Sequence, residues 1–547
     1  MIHHLKPKWQ AWGRFLSLFL LCATVVIACA SDNDAVENEI ETLNGERSRI
    51  TLGTTQKPSH LDPADSYQIA GLGILYNLSD CLFAYELDST ELKPQLATAL
   101  PEVSDDGLTY TIPLREDVVF HDQTPFNAEA MAFSLRRFME NEGQPSFLLA
   151  DIVNSVEATG DYELTIELDS PFSAFPALLA FTGTAAVSPN AYEIGKDQFN
   201  EETFVGTGPY QLTEWEEDSL ELTAFEQYWG ETPENAGVNI QFYANEATEL
   251  FEAFQDGEVD VAYQSLDVDQ IRYLVEEATE GKWQAVSSPG MAVVYMALNV
   301  TKEPLDDPQV RRAIASMIDR NLFTETTLEG QAEPIYSLIP TSVEVYEPAF
   351  QNQYGDGNIE QAKALLTEAG YSEDDPVTVE IWYPGASHNR HLVASRLQEY
   401  AEEHLEGLLQ FEPQGNDDGT FFSSVREGLY PISLVDWHPD FIDPDNYIHP
   451  FVSCGEGSEE TGCEEGGAAS QGSFYYNERL NELVTLQRQE QDPETRQEQF
   501  AEIQEIIATD VPYIPLWQVK NHVFAQNEIT GVKLSPSQGF PYWTMAK

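Results

Sequence analysis

The stretch VDWHPDFIDPDNY, residues 435–447, gathers four aspartates, one histidine and three aromatic residues in thirteen positions. Carboxylates and an imidazole at this density suit three kinds of chemistry. They can ligate a cation, serve as general acids and bases, or pair with a cationic ligand and leave it unchanged. Asp436, His438, Asp440, Asp443 and Asp445 are the candidates. Within them, Asp443-Pro444-Asp445-Asn446 has the composition of a turn whose carboxylates fold back onto backbone amides.

The first two chemistries find little support elsewhere in the chain. A hydrolase needs a nucleophile paired with a base, or two separated carboxylates in one site. Neither G-x-S-x-G nor H-E-x-x-H occurs. His121 and Asp122 are adjacent in FHDQTPF, but a hairpin-to-helix turn uses such residues to cap structure. His60, His121, His388, His391, His438 and His449 are scattered without close ligand spacing. The expectation is therefore a binding protein, not an enzyme, with neither a resident metal nor a cofactor.

A length of 547 residues exceeds what one core supports and implies several domains. The net charge of −66 excludes a nucleic-acid partner, because phosphates would be repelled. A hydrophobic content of 42% nevertheless keeps the chain among globular proteins. The acidity reads as a surface solvated in a salty medium, or as attraction of cationic ligands toward a cleft.

The N-terminus carries an address. His3, His4, Lys6, Lys8 and Arg14 precede the apolar run FLSLFLLCATVVIA, which ends at Cys29. A basic segment followed by a short apolar one is an export signal. VIAC is similar to the lipobox of bacterial lipoproteins, in which the cysteine is acylated after cleavage. On that reading residues 1–28 are a lipoprotein signal peptide, Cys29 carries the lipid, and residues 29–45 form a polar tether. Export implies an oxidising compartment, where Cys454 and Cys463, closing a short loop of Gly, Ser and Glu, are expected to form a disulfide. Cys81, within SDCLFAY, reads as a buried small hydrophobe.

Elements of two textures must position the aspartate-rich stretch. Before about residue 290 the sequence favours hairpins: an Asp-Asp-Gly turn precedes the alternation of Leu108, Tyr110, Ile112 and Leu114. Asn127 then suits the cap of a helix. After residue 290 strands and helices alternate, as in AVVYMALN followed by PQVRRAIASMI, VTVEIWYPG followed by HNRHLVASRLQEYAEEH, and PETRQEQFAEIQEIIATD followed by VPYIPLW. This combination predicts an α/β, mixed α+β, protein.

Seven blocks in order carry a further resemblance: DDGLTYTIPLREDVVFHDQTPFNAEAMAFSLRRF, VGTGPYQL, YWG, FQDGEVDVAY, PLDDPQVRRAIASMIDR, AKALLTEAGY and VPYIPLW. Together they resemble the bacterial extracellular solute-binding proteins, family 5, that serve oligopeptide, dipeptide and nickel ABC importers. Departures are Gln123 for glycine, Asn127 for threonine and Ala130 for aspartate. The resemblance implies a periplasmic-binding-protein-like two-lobe clamshell with an extra subdomain inserted in lobe one. Lobe one would hold residues 46–75, 204–295 and 520–547, the inserted subdomain 76–203, and lobe two 296–519. The strands joining the lobes would pass near MAVVYMALN and PLWQVKN.

DWHPDFIDPDNY is similar to the family's G-W-x-x-D-x-x-D-P-D-N-F loop. By that match Asp440 pairs with a ligand's α-ammonium, Trp437 walls the cleft, and His438 is an undecided neighbour. Pro439 replaces a small residue and has no amide hydrogen to offer a peptide. His388 and Arg390, in GASHNRHLVAS, fall near the family's carboxylate-binding positions. The implied function is that of an exported, membrane-anchored, monomeric lipoprotein, facing the periplasm or cell exterior. It would capture di- to oligopeptides for an ABC permease and its ATPase subunits. A nickel or metallophore receptor and an oligosaccharide receptor are the alternatives on the same fold, and an exported hydrolase is a distant one.

Overall fold

The structure, a computed structural model, describes residues 47–200, 203–244, 246–264, 266–535 and 539–547. The expected signal peptide, Cys29 and the tether lie outside the described residues.

Two long strands organise the molecule. Gln284–Leu298 pairs antiparallel with Tyr513–Ala525 along nearly its whole length. The register is interrupted between Pro289 and Val293. On one side of that break, Val261–Tyr263, Arg49–Thr54, Gly237–Phe242, Ser219–Ala224 and Tyr210–Trp215 extend the sheet outward from Tyr513–Ala525. On the other side, Ile432–Trp437, Val377–Pro384 and Leu409–Asn416 extend it from Gln284–Leu298. The result is one eleven-stranded sheet shared by two lobes, with Ala332–Pro334 a side strand on Tyr513–Ala525.

The sequence accounts for this division of labour. From Gly290 to Leu298 every residue of the first long strand is buried, and its apolar run suits a strand covered on both faces. Val377–Pro384 pairs parallel with both Leu409–Asn416 and Ile432–Trp437, so the connections must be crossovers. Helices His388–His404 and Asp418–Arg426 supply them. One large core, from Met291 to Trp517, packs this half. A second core joins Ile50, Tyr210, Val238, Val523 and Met545 around the other half of the sheet.

A third core belongs to a four-stranded antiparallel sheet ordered Glu102–Val103, Thr109–Pro113, Glu163–Leu168, Val153–Gly160. Helix Ala128–Glu140 packs on it, its first turn capped by Asn127, which accepts from the Ala130 amide at 3.0 Å. His121 is buried beneath the preceding turn, bonded through both ring nitrogens to the backbone of Gly206 and Gly208. Asp122 accepts from the Thr124 amide and Ser188. This pair is structural.

The third core contains one residue from far along the chain, Phe441, whose ring meets Phe172 edge-on. The Ile442 amide donates to the Tyr85 hydroxyl at 2.8 Å, and Ser173 donates to the carbonyls of Gln487 and Arg488. The loop after Trp437 thus ties the antiparallel domain to the far lobe. Beside it, Cys454 and Cys463 form a disulfide with Cα atoms 5.7 Å apart.

Candidate ligand-binding site

A cavity of about 380 Å3 lies astride the two long strands. Leu434, Asp436, His438, Ser387 and Arg390 line it from one lobe. Ile69, Tyr263, Gln264, Lys520 and His522 line it from the other. Its size falls within the range of small-ligand sites.

Strand alternation decides which residues of the aspartate-rich stretch reach this space. Ile432–Trp437 sends successive side chains to opposite faces. Leu434, Asp436 and His438 therefore line the cavity. Trp437 lies on the other face, edge-on to Phe451 at 5.4 Å and against the large core. Its indole Nε1 is buried without a hydrogen-bond partner.

Arg390 is set by the chain turn before it. Val377–Pro384 ends at Pro384, and Ser387 caps helix His388–His404 by accepting from the Arg390 amide. Arg390 stands at the third helical position, where the helix dipole disfavours a cation. Asp436 compensates: its carboxylate forms an ion pair with the Arg390 guanidinium, and His438 Nε2 lies 3.1 Å from its other oxygen. Burial alone would raise the Asp436 pKa, but Arg390 and His438 outweigh it and hold the carboxyl well below the usual range. The Arg390 Nε is buried with no partner.

Asp440 is not among the residues that line this cavity. Its amide donates to Asn446 Oδ1 at 2.9 Å, and its carboxylate accepts from Asn446 Nδ2 at 3.3 Å and from the Tyr67 hydroxyl. Burial pushes its pKa up to about 6, partly offset by those donors. Asp443 and Asp445 build the turn. Asp443 accepts from the Asp445 amide at 2.8 Å and is bridged by Arg496. Asp445 is buried against the side chains of Gln487 and Arg488 rather than a backbone amide.

His388 is exposed at an adjoining cavity, with Asp267, Glu329 and Arg396. Val268 and Asn389 line both spaces, so His388 stands at the mouth and Arg390 inside. Reasoning from the sequence missed Lys520 and His522. The alternation of the VKNHVF segment was their available signal, since Lys520, His522 and Phe524 share one strand face. His522 Nδ1 lies 2.8 Å from the Ser287 hydroxyl, and burial together with Lys520 lowers its pKa to about 4.

Among known proteins, residues 91–459 match the family described as "Bacterial extracellular solute-binding proteins, family 5 Middle". The chain belongs to this family. Family 5 proteins are extracytoplasmic substrate-binding components of ABC transporters, receptors for transport and not enzymes. The glutathione-binding protein GsiB of Salmonella typhi is 28% identical over 495 residues, covering 88% of this chain and 91% of that protein. The fold matches the dipeptide-binding protein of Pseudoalteromonas sp. SM9913 in complex with Met-Leu. The TM-score is 0.75 at 21% identity, over 91% of this chain and 100% of that one. The substrate-binding protein CtaP of Listeria monocytogenes gives a TM-score of 0.79 at 20% identity, over 92% and 99%. Among the described residues no helix is long and apolar enough to cross a membrane.

Proposed function

We propose that this family 5 protein captures short peptides between its lobes and delivers them to an ABC permease. The observation that carries this reading is a cavity astride the crossing strands, lined from both lobes and holding charges of both signs. A peptide carries an ammonium and a carboxylate, and each is costly to bury unless paired and hydrogen-bonded. Asp440 receives the α-ammonium and Arg390 the α-carboxylate, with Asp436 as its counter-ion between ligands. His438 frames that end of the site, Trp437 supports the strand from the core behind it, and His388 meets ligand from the adjoining cavity. The relative GsiB makes glutathione, a γ-linked tripeptide, one member of the class to test.

Lobe one consists of residues 46–75, 204–295 and 520–547, with 76–203 inserted, and lobe two of 296–519. The large core belongs mostly to lobe two and the antiparallel-sheet core mostly to the insertion, with Met291, Val293, Val294 and Tyr295 packed in the former and Phe441 in the latter. Residues 1–28 are removed, and Cys29 holds the monomeric receptor to the membrane by its lipid.

The test is thermal unfolding of the purified chain with Ala-Ala-Ala, its N-acetylated form, glutathione, a nickel–histidine complex and a maltooligosaccharide. Free peptide at a hundred times its Kd stabilises by about 2.7 kcal/mol. The acetylated peptide, and any peptide with Asp440→Asn, gives a much smaller shift. A response to nickel–histidine or sugar alone overturns the reading. Equal binding of free and acetylated peptide removes Asp440 from it.

A further inference from the structure

We propose that the preferred ligands are peptides with a second carboxylate, such as an acidic side chain or a γ-linked glutamyl residue. The second carboxylate is held by Lys520 and His522 on the lobe opposite Arg390. This rests on the peptide reading above and narrows it.

The first argument is local charge. The chain has 93 acidic residues against 27 Lys and Arg. Around the cavity that ratio is inverted: among its described lining residues Arg390 and Lys520 face a single carboxylate, Asp436. Screening limits the reach of the acidic surface to about 8 Å at physiological salt, so groups inside the cavity decide what charge it accepts.

The second argument is unspent hydrogen-bonding capacity on both lobes. In lobe two, Arg390 engages Asp436 and Ser387, yet its buried Nε has no partner. Across the cleft, Lys520 Nζ donates to the Gly330 carbonyl at 3.0 Å and forms only a long ion pair with Glu333 at 3.8 Å, with no hydrogen bond between them. His522 Nε2 is buried and unpartnered. When the Ser287 hydroxyl donates to Nδ1, Nε2 carries the ring hydrogen and is a donor. Lys520 and His522 follow the register break of the long strands, whereas Arg390 lies beyond it. A ligand with one carboxylate on each side therefore bridges the lobes, and closure gains from both contacts.

Isothermal titration of the purified chain with Ala-Ala-Glu and Ala-Ala-Gln tests this, because the two peptides differ only in the second carboxylate. The acid is expected to bind about tenfold tighter than the amide. Lys520→Gln and His522→Gln should each cut that preference to about threefold or less, with folding of each variant checked by circular dichroism. Equal binding of the two peptides by the unaltered protein overturns the proposal, as does a full preference retained by both variants. If neither peptide binds, the peptide reading falls and this inference with it. If both bind equally, only this inference falls.

Discussion

Asp440 and Asp436 stand four residues apart and differ in what their surroundings ask of them. Asp436 has a guanidinium beside it and stays ionised. Asp440 has only neutral donors, Tyr67 and Asn446, and burial holds its pKa near 6. A bound ammonium favours the carboxylate form, so the complex carries fewer protons than the free receptor. By linkage, peptide affinity is full above about pH 6 and declines as the pH falls through it, by at most about tenfold per unit for one proton. Titration from about pH 8 to about pH 5 should show this decline, and Asp440→Asn should flatten it. A pH-independent affinity would remove Asp440 from the ammonium.

At the scale of elements, the two long strands are where the lobes meet, and they run close together at Gly290. A Cβ there would lie 2.5 Å from the Val519 carbonyl oxygen of the paired strand. That oxygen belongs to backbone and cannot rotate aside. Gly290→Val should therefore push the strands apart and destabilise the protein by about 1–3 kcal/mol. The check is a lower denaturant midpoint with an unchanged slope. Weaker peptide binding should accompany it, because the displaced segment leads directly into Lys520 and His522. An unaltered midpoint would mean that the register break absorbs the extra atoms.

At the scale of the molecule, a net charge of −66 loads the folded state with self-repulsion. A few ion pairs are buried against it, notably Arg137 on Asp62 at 2.5 and 2.7 Å. Many of the other carboxylates among the described residues lie at the exposed surface, where solvent and salt screen them. Raising KCl from about 0.1 M to about 1 M shortens the screening length from about 10 Å to about 3 Å. The thermal midpoint should rise over that range, while the buried Arg137–Asp62 pair is little affected. A flat or falling midpoint would show that surface repulsion is not the main charge term.

The sequence by itself determined the class and most elements, because these depend on local periodicity, and its seven ordered motif blocks carried the resemblance to the family. The apolar run of AVVYMALN, the Asn127 cap and the helix opening at His388 follow from neighbours within a few residues. Tertiary structure decided what faces the cavity. Trp437, Asp436 and His438 are consecutive, yet pairing Ile432–Trp437 with Gln284–Leu298 fixes which of them points inward. Lys520 and His522 look ordinary in the sequence and matter only because their strand crosses between lobes. Arg390 and Asp436, 46 positions apart in the chain, become an ion pair only when parallel strands bring a helix start beside a strand end. A one-dimensional pattern records periodicity. It does not record which two ends the fold brings together.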